Sequence, residues 1–225
     1  MQKKGVYDLD YYQKRKSNKS FAYRLKRRTD EVLNSILKFK GKNIERLLDA
    51  GTADGMMLDE INSKLKISHS VGFDISKELL EVNKKNQPIL YADALNQPFL
   101  DESFDVIIAS ALIEHVPDVK KTIKEFNRTL CKGGVCIITT PNPIFEKIGL
   151  KIGYLKKKNH VNTFSILEVK KILESCGFEV VKTKKFLSSP VKIPFANQID
   201  DILNKFGITF LMTNQLIVGR KVRSI

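Results

Sequence analysis

The segment Arg46-Leu47-Leu48-Asp49-Ala50-Gly51-Thr52-Ala53-Asp54-Gly55-Met56-Met57-Leu58 constrains the fold more than any other part of the chain. A short apolar run stops at Asp49, passes through a turn of small residues, and enters a pattern of helical period. Glycine tolerates positive φ and carries no Cβ, so Gly51 and Gly55 allow a sharp turn and a close approach to the backbone. The helix that follows opens with unbonded N–H groups and the positive end of its dipole, which favour a carboxylate or phosphate. Strand, small-residue turn and helix form the first unit of an α/β sheet with a ligand site at its edge.

The rest of the chain repeats that alternation. Strands are predicted at 46–50, 70–75, 89–92, 104–109, 135–140, from 178 to 181, and across Phe210–Met212 with Leu216–Val218. Between them lie helical patterns: Met57, Ile61 and Leu65; Leu79, Leu80 and Val82 after Ser76; Val119, Ile123, Phe126 and Leu130 behind an Asp118 cap, ending at Lys132-Gly133-Gly134. Ser165 and Glu168 read as a capping box for a helix carrying Val169, Ile172, Leu173 and Cys176, with Gly177 as its stop. The expected fold is a doubly wound, Rossmann-like, seven-stranded and mostly parallel sheet, helices on both faces, with an antiparallel last strand. One domain of residues 1–225 is expected. It divides into a basic, aromatic helical extension (1–43), a cofactor-binding half (44–141) and two substrate-side insertions (142–164 and 188–208), the second with a helical pattern at Ile199, Ile202, Leu203 and Phe206.

In the N-terminal extension, Phe21, Leu25, Val32, Leu33, Ile36 and Leu37 suit one face of a helix that stops at Gly41 and is expected to cover a sheet edge or roof the site. Arg24, Arg27, Arg28 and Glu31 fall largely opposite, on a face expected to meet solvent rather than ligand. The net charge of +14 is uneven: residues 47–141 hold 10 basic and 14 acidic side chains, whereas residues 1–46 hold 14 and 5 and residues 142–192 hold 11 and 4. Basic flanks attract an anionic substrate, nucleic acid or an acidic membrane surface, or stay solvated. No stretch approaches the roughly 20 apolar residues of a bilayer span, and Met1-Gln2-Lys3-Lys4 opens no signal-peptide core, so a cytoplasmic protein is expected. Cys131, Cys136 and Cys176 form no CxxC pair and read as reduced thiols.

In an open α/β sheet, ligands bind beyond the carboxyl ends of the strands. Those ends carry Asp49-Ala50-Gly51, Asp74-Ile75, Asp93-Ala94 and Ser110. Asp74, following the glycine turn at the spacing of a ribose-binding acid, can accept from two hydroxyls, and Asp93 can accept from an exocyclic amine. The turn is not GxGxxG, and no P-loop lysine follows it. A nucleoside with an amino-acid tail fits better than a dinucleotide.

These residues resemble the class I S-adenosylmethionine-dependent methyltransferases over about 44–140, 160–187 and 210–220. Leu48-Asp49-Ala50-Gly51-Thr52-Ala53-Asp54-Gly55 is similar to the glycine-rich first motif, and Gly72-Phe73-Asp74-Ile75-Ser76 to the acidic second-strand motif. Ala92-Asp93-Ala94 with Ser103–Ser110 resembles the adenine side and fourth strand, and Leu130-Cys131-Lys132-Gly133-Gly134-Val135 the turn before strand five. The resemblance implies S-adenosyl-L-methionine as cofactor. It implies that Gly51 and Gly55 shape the methionine turn, Asp49 orders it near the amino group, Asp74 holds the ribose hydroxyls and Asp93 with Ala94 meets the adenine, with Ala53, Ile75 and Ser110 as further cofactor-binding residues. Ala53 departs from the family's glycine, and binding is expected to hold where it keeps an ordinary backbone angle.

Ile113-Glu114-His115-Val116-Pro117 is similar to the segment after strand four in small-molecule and quinone-biosynthesis methyltransferases. His115 is the candidate catalytic base, since imidazole changes charge near neutrality; its alternative is to orient the loop. No metal is expected, because Glu114 and His115 are only two adjacent ligands. Tyr11, Tyr12, His160 and Phe164 are substrate-side candidates, with Tyr7 beside them; the tyrosines either close over the site or lie on the surface, and His160 either faces the pocket or anchors the lid. The primary expectation is a methyltransferase acting at oxygen on a small-molecule or lipid-like acceptor, anionic acceptors included. The alternatives are an RNA methyltransferase using its basic flanks, including Lys156–Lys158, and a non-catalytic cofactor-binding partner subunit. Ser110-Ala111-Leu112-Ile113 replaces the Pro-Pro-aromatic motif typical of amino-methylating nucleic-acid enzymes, so nucleic acid is not the favoured partner.

Overall fold

Leu47 and Leu48 are neighbours on one strand, and both are fully buried. They belong to different apolar clusters, as do Ile107 and Ile108 and likewise Cys136 and Ile137. A strand whose two faces are both covered by helices reads as a continuous apolar run, which is what the sequence shows here.

The computed structural model describes residues 12–13, 17–82, 88–151, 161–187, 189, 191–210 and 212–225. Tyr7, Tyr11, Lys156–Lys158 and His160 lie outside them. In chain order the elements are α1 (Lys19–Lys40), β1 (Asn43–Ala50), α2 (Met56–Lys64), β2 (Lys66–Asp74), α3 (Lys77–Glu81), β3 (Ile89–Tyr91), β4 (Phe104–Ser110), α4 (Val119–Thr129), β5 (Leu130–Pro141), α5 (Pro143–Lys151), α6 (Ile166–Ser175), β6 (Phe178–Phe186), α7 (Ala196–Lys205) and β7 (Asn214–Lys221). The sheet order is β3-β2-β1-β4-β5-β7-β6. β1 lies parallel to β2 and β4, while β7 is antiparallel to both β5 and β6. This is the Rossmann-like sheet with its antiparallel last strand. The chain leaves β1 toward β2 and β3, then returns across β1 to β4, so the carboxyl ends of β1 and β4 flank the topological switch point.

Helices cover both faces. Ile123 and Phe126 of α4 join Val169 and Leu173 of α6 in one cluster; Val32 and Ile36 of α1 join Leu58 and Ile61 of α2 in the other. The predicted helix signals hold at Gly41, which takes φ 80° after α1, at Asp118, whose carboxylate accepts from Lys121 N–H, and at the Ser165/Glu168 capping box.

Several boundaries differ from the apolar pattern. β1 and β2 begin at Asn43 and Lys66, because the parallel ladder continues through polar residues that face solvent. α4 ends at Thr129 rather than at the Lys132-Gly133-Gly134 turn, and β5 starts at Leu130, paired with Phe104. β6 reaches Phe186 because β7 supplies a partner as far as Asn214; Phe210 and Met212 precede β7 instead of forming part of it. The first part of the expected 142–164 loop is the helix α5.

Gly72 sets how closely the first turn lies on β2. A Cβ added there would sit 2.8 Å from the Thr52 Cβ. Substituting Gly72→Ala therefore forces the turn away from the sheet, at an expected cost of about 1–3 kcal/mol. At this chain length a thermal melt should fall by about 2–4 °C per kcal/mol; an unchanged midpoint would show that the turn yields freely.

Candidate functional site

The site is built on the turn between β1 and α2. Gly51, Ala53 and Gly55 all take left-handed backbone angles, with φ 72°, 54° and 76°. Ala53 thus does not keep an ordinary angle, contrary to the condition set from sequence; its methyl sits in the conformation that glycine adopts without penalty. The turn is stitched to the end of β2. The Gly51 and Thr52 N–H groups both donate to the Phe73 carbonyl at 2.9 Å, and the Ala53 N–H donates to Asp74 Oδ2 at 2.9 Å. Asp74 Oδ1 accepts from Ser76 N–H at 2.8 Å. Asp49 is buried at the strand end, and its Oδ2 accepts from Thr52 Oγ1 at 2.7 Å.

Burial is the largest influence on the Asp74 carboxyl and pushes its pKa above the ordinary 3.8. N–H donors from Ser76, Ala53 and Ile75 oppose that rise without cancelling it, and the nearby Asp54 adds to it. A carboxylate offers about four lone-pair directions. Asp74 spends part of this capacity on the turn and keeps acceptor capacity for a ligand hydroxyl.

Two adjoining clefts open along this rim. One is lined by Asp49, Gly51, Ala53, Asp74, Ile75 and Ser110, roofed by Leu25 and Arg28 of α1, with Met57 and Leu79 as apolar walls. The other, a cavity of about 330 Å³, is lined by Phe73, Ala92, Asp93, Ala94, Leu95, Val116 and Pro117. Its size falls in the range of small-ligand sites, and it is a mainly apolar slot edged by two carboxylates, Asp74 and Asp93. Asp93 Oδ1 accepts from Leu95 N–H at 3.0 Å, which holds that carboxylate at the slot's edge. Gly51, Asp74, Ile75, Leu112 and His115 line both clefts, so His115 stands where they meet.

Arg28 is the residue that sequence reasoning missed. The charged face of α1 does not meet solvent: Arg27 and Glu31 are each only 4% exposed. Arg27 bonds to Asn197 and Asp200 of α7, and Glu31 pairs with Lys184 of β6 at 2.9 Å. This pairing sets the rotation of α1 and turns Arg28 toward the cleft. Arg28 Nε is buried with no hydrogen-bond partner among the described residues. The signal available in the sequence was slight: Arg28 lies one helical turn from Leu25, which roofs the same cleft.

The remaining predicted residues separate. Ser110 lines the first cleft, its hydroxyl bonded to that of Thr139 at 2.9 Å, and Ala111 turns the chain out of β4 at φ 54°. Glu114 is buried, and its carbonyl accepts from Val161 and Asn162 N–H at 3.0 and 3.1 Å, so it anchors the start of the segment leading to α6. Phe164 packs against the core, its carbonyl accepting from the Gln215 amide, and is not among the residues lining the two clefts. Tyr12 is half-buried and also lines neither. Among the described residues no helix is long and apolar enough to cross a membrane.

The groups present suit a ligand with a carboxylate for Arg28, vicinal hydroxyls for Asp74 and a flat heterocycle for the apolar slot. A pyrophosphate would face Asp49, Asp54 and Asp74 instead, which charge disfavours.

Residues 20–183 match the family described as methyltransferase domain. The chain is 30% identical over 167 residues to a demethylmenaquinone methyltransferase of Staphylococcus saprophyticus, covering 60% of this chain and 70% of that protein. It is 34% identical over 110 residues to one of Staphylococcus epidermidis, covering 44% of each, so the chain spans less than half of that relative. In three dimensions it is similar to a SAM dependent methyltransferase from Archaeoglobus fulgidus, with TM-score 0.69 and 20% identity over 95% of this chain and all of the other.

Two outcomes follow from this geometry. Affinity for S-adenosylhomocysteine, measured by calorimetry, should be full where Asp74 is ionised and fall as pH drops through its raised pKa, with the inflection above 3.8. Asp74→Asn should weaken binding about 10- to 100-fold and remove that inflection. Ala53→Gly should raise the melting temperature by relieving the left-handed alanine, by up to about 1 kcal/mol, without weakening the ligand.

Proposed function

The chain belongs to the S-adenosylmethionine-dependent methyltransferase family, and we propose that it transfers the methyl group to the oxygen of an apolar, hydroxyl-bearing small molecule of the quinone-precursor class. The observation that carries this reading is the position of His115 at the junction of the two clefts, between apolar walls and beside the Ala111 turn. The printed names of the curated relatives support a quinone-type acceptor. Free thiols at Cys131, Cys136 and Cys176 suit a reducing compartment, which supports the cytoplasm as the site of the reaction.

When bound, S-adenosylmethionine supplies a methyl group on a sulfonium centre that an oxygen nucleophile can displace, leaving S-adenosylhomocysteine. Arg28 holds the carboxylate of the amino-acid tail, Asp74 the ribose hydroxyls, and Asp93 with Ala94 the edge of the adenine. Leu25, Met57, Leu79 and Leu112 keep water from the reacting centre. A ring nitrogen of His115 takes the proton from the acceptor hydroxyl, raising the charge on the attacking oxygen, and later returns it to solvent. Much of the remaining acceleration comes from holding the oxygen in line with the methyl group.

The test is transfer of labelled methyl from the donor to a short-chain naphthohydroquinone. His115→Ala should lower kcat by about 10²–10⁴ while leaving S-adenosylhomocysteine binding intact. Arg28→Ala should do the reverse, raising the donor KM about tenfold or more with kcat little changed. Product methylated on carbon would overturn the oxygen assignment, and an unchanged kcat in His115→Ala would overturn the base. Label entering RNA, or ligand binding with no transfer, would favour the other two readings.

A further inference from the structure

α7 turns buried Asp200, with half-buried Ile199, Leu203 and Asn204, toward the body of the protein. Asn197 and Asp200 receive the Arg27 guanidinium, Asp200 Oδ2 also accepts from Leu187 N–H at 2.8 Å, and Asn204 Nδ2 donates to the Lys185 carbonyl at 2.8 Å. Three of its apolar side chains face out: Phe195, Ile202 and Phe206 are 73%, 55% and 70% exposed. Spacings of seven and four residues put these three on one stripe of the helix. Phe195 also holds a left-handed angle, φ 54°, at the helix start, and no side-chain cap bond accompanies it. A bulky side chain in that conformation is strained, and its exposure means that packing within the chain returns little.

Further apolar side chains are exposed at this end of the sheet. Ile208 and Phe210 are exposed beyond α7, and Ile144 and Ile148 are exposed on α5. Asn142, just before α5, donates its side-chain N–H groups to the Met212 carbonyl at 2.6 Å and the Thr209 carbonyl at 3.4 Å, tying the two segments together. Pro141, Asn214 and Phe186 stand side by side across β5, β7 and β6. The apolar surface therefore lies on the same rim of the sheet as Gly51 and Ser110. Single exposed apolar side chains are ordinary, but this many in two tethered segments form a patch that needs a partner.

Charge identifies the partner. Exposed Lys147, Lys151, Lys192 and Lys205 accompany the patch, and Asp201, the exposed acid of α7, is paired with Lys184 at 3.0 Å. A second copy seated on this face by two-fold symmetry would bring like lysines together. An acidic lipid surface complements both the lysines and the apolar stripe. We propose that this face docks the protein on an anionic bilayer, with Phe195, Ile202 and Phe206 in the headgroup–acyl boundary and the lysines against lipid phosphates. The docking stands apart from the acceptor reading, because it is measured with no acceptor present.

The test is co-sedimentation of the full chain with vesicles of equal phosphatidylcholine and phosphatidylglycerol, or of phosphatidylcholine alone. Wild type should partition to the anionic vesicles about tenfold or more better, and lose that preference in high salt. The double variant Ile202→Ser/Phe206→Ser should lose about tenfold or more of vesicle binding while its melting temperature and S-adenosylhomocysteine affinity stay unchanged. Lys192→Glu/Lys205→Glu should lose the anionic preference. Absence of vesicle binding by the wild type would overturn the proposal. So would a concentration-dependent dimer in light scattering that Ile202→Ser/Phe206→Ser dissolves without any vesicle binding, which would assign the face to a second copy.

Discussion

The contact on which the site depends is the seam between the first turn and the end of β2. Three consecutive N–H groups, from Gly51, Thr52 and Ala53, are spent on the Phe73 carbonyl and the Asp74 carboxylate. That seam closes only because Gly72 leaves room for Thr52. Through it, the Asp74 carboxylate at the rim of both clefts also fixes the glycine turn that lines them. The two clefts are therefore not independent. Asp74 meets this double demand at the expense of an easily ionised carboxyl, since the burial that aligns it also raises its pKa.

A second constraint acts from the opposite side. Arg27, Glu31, Lys184 and Asp200 join α1, β6 and α7 through charges largely removed from water. Buried charges are costly unless each has its partner, so the network tolerates one mutual orientation of these elements and penalises others. One consequence is the position of Arg28 over the cleft. Another is that α7 turns Asp200 and Asn204 toward the body, which leaves Phe195, Ile202 and Phe206 outside. The roof of the first cleft and the exposed apolar stripe thus have a common cause.

Much of the site was legible because it is local. Asp49, Gly51, Asp74, Asp93, Ser110 and His115 each sit at or just after a strand end, and a parallel sheet gathers strand ends along one rim. The strand interiors were legible for the same reason: runs such as Val106–Ala109 and Val135–Ile138 are apolar throughout because both faces are covered. The ends were less so, since Asn43 and Lys66 join the ladder through backbone groups that carry no side-chain signature. On α1 the amphipathic reading buried Val32, Leu33 and Ile36 correctly but sent Arg27 and Glu31 to solvent, where the fold buries them. Arg27 and Asp200, separated by 173 positions, satisfy each other, and no local pattern announces a pair at that distance.

The sequence by itself determined the sheet, its antiparallel finish, the glycine turn and the acidic residues that follow it, because periodicity and turn chemistry are properties of neighbouring residues. Tertiary structure alone decided the left-handed angle of Ala53, the entry of Arg28 into the cleft and the outward face of α7. Each depends on which distant group completes a hydrogen bond or an ion pair, and that choice exists only once the chain has folded.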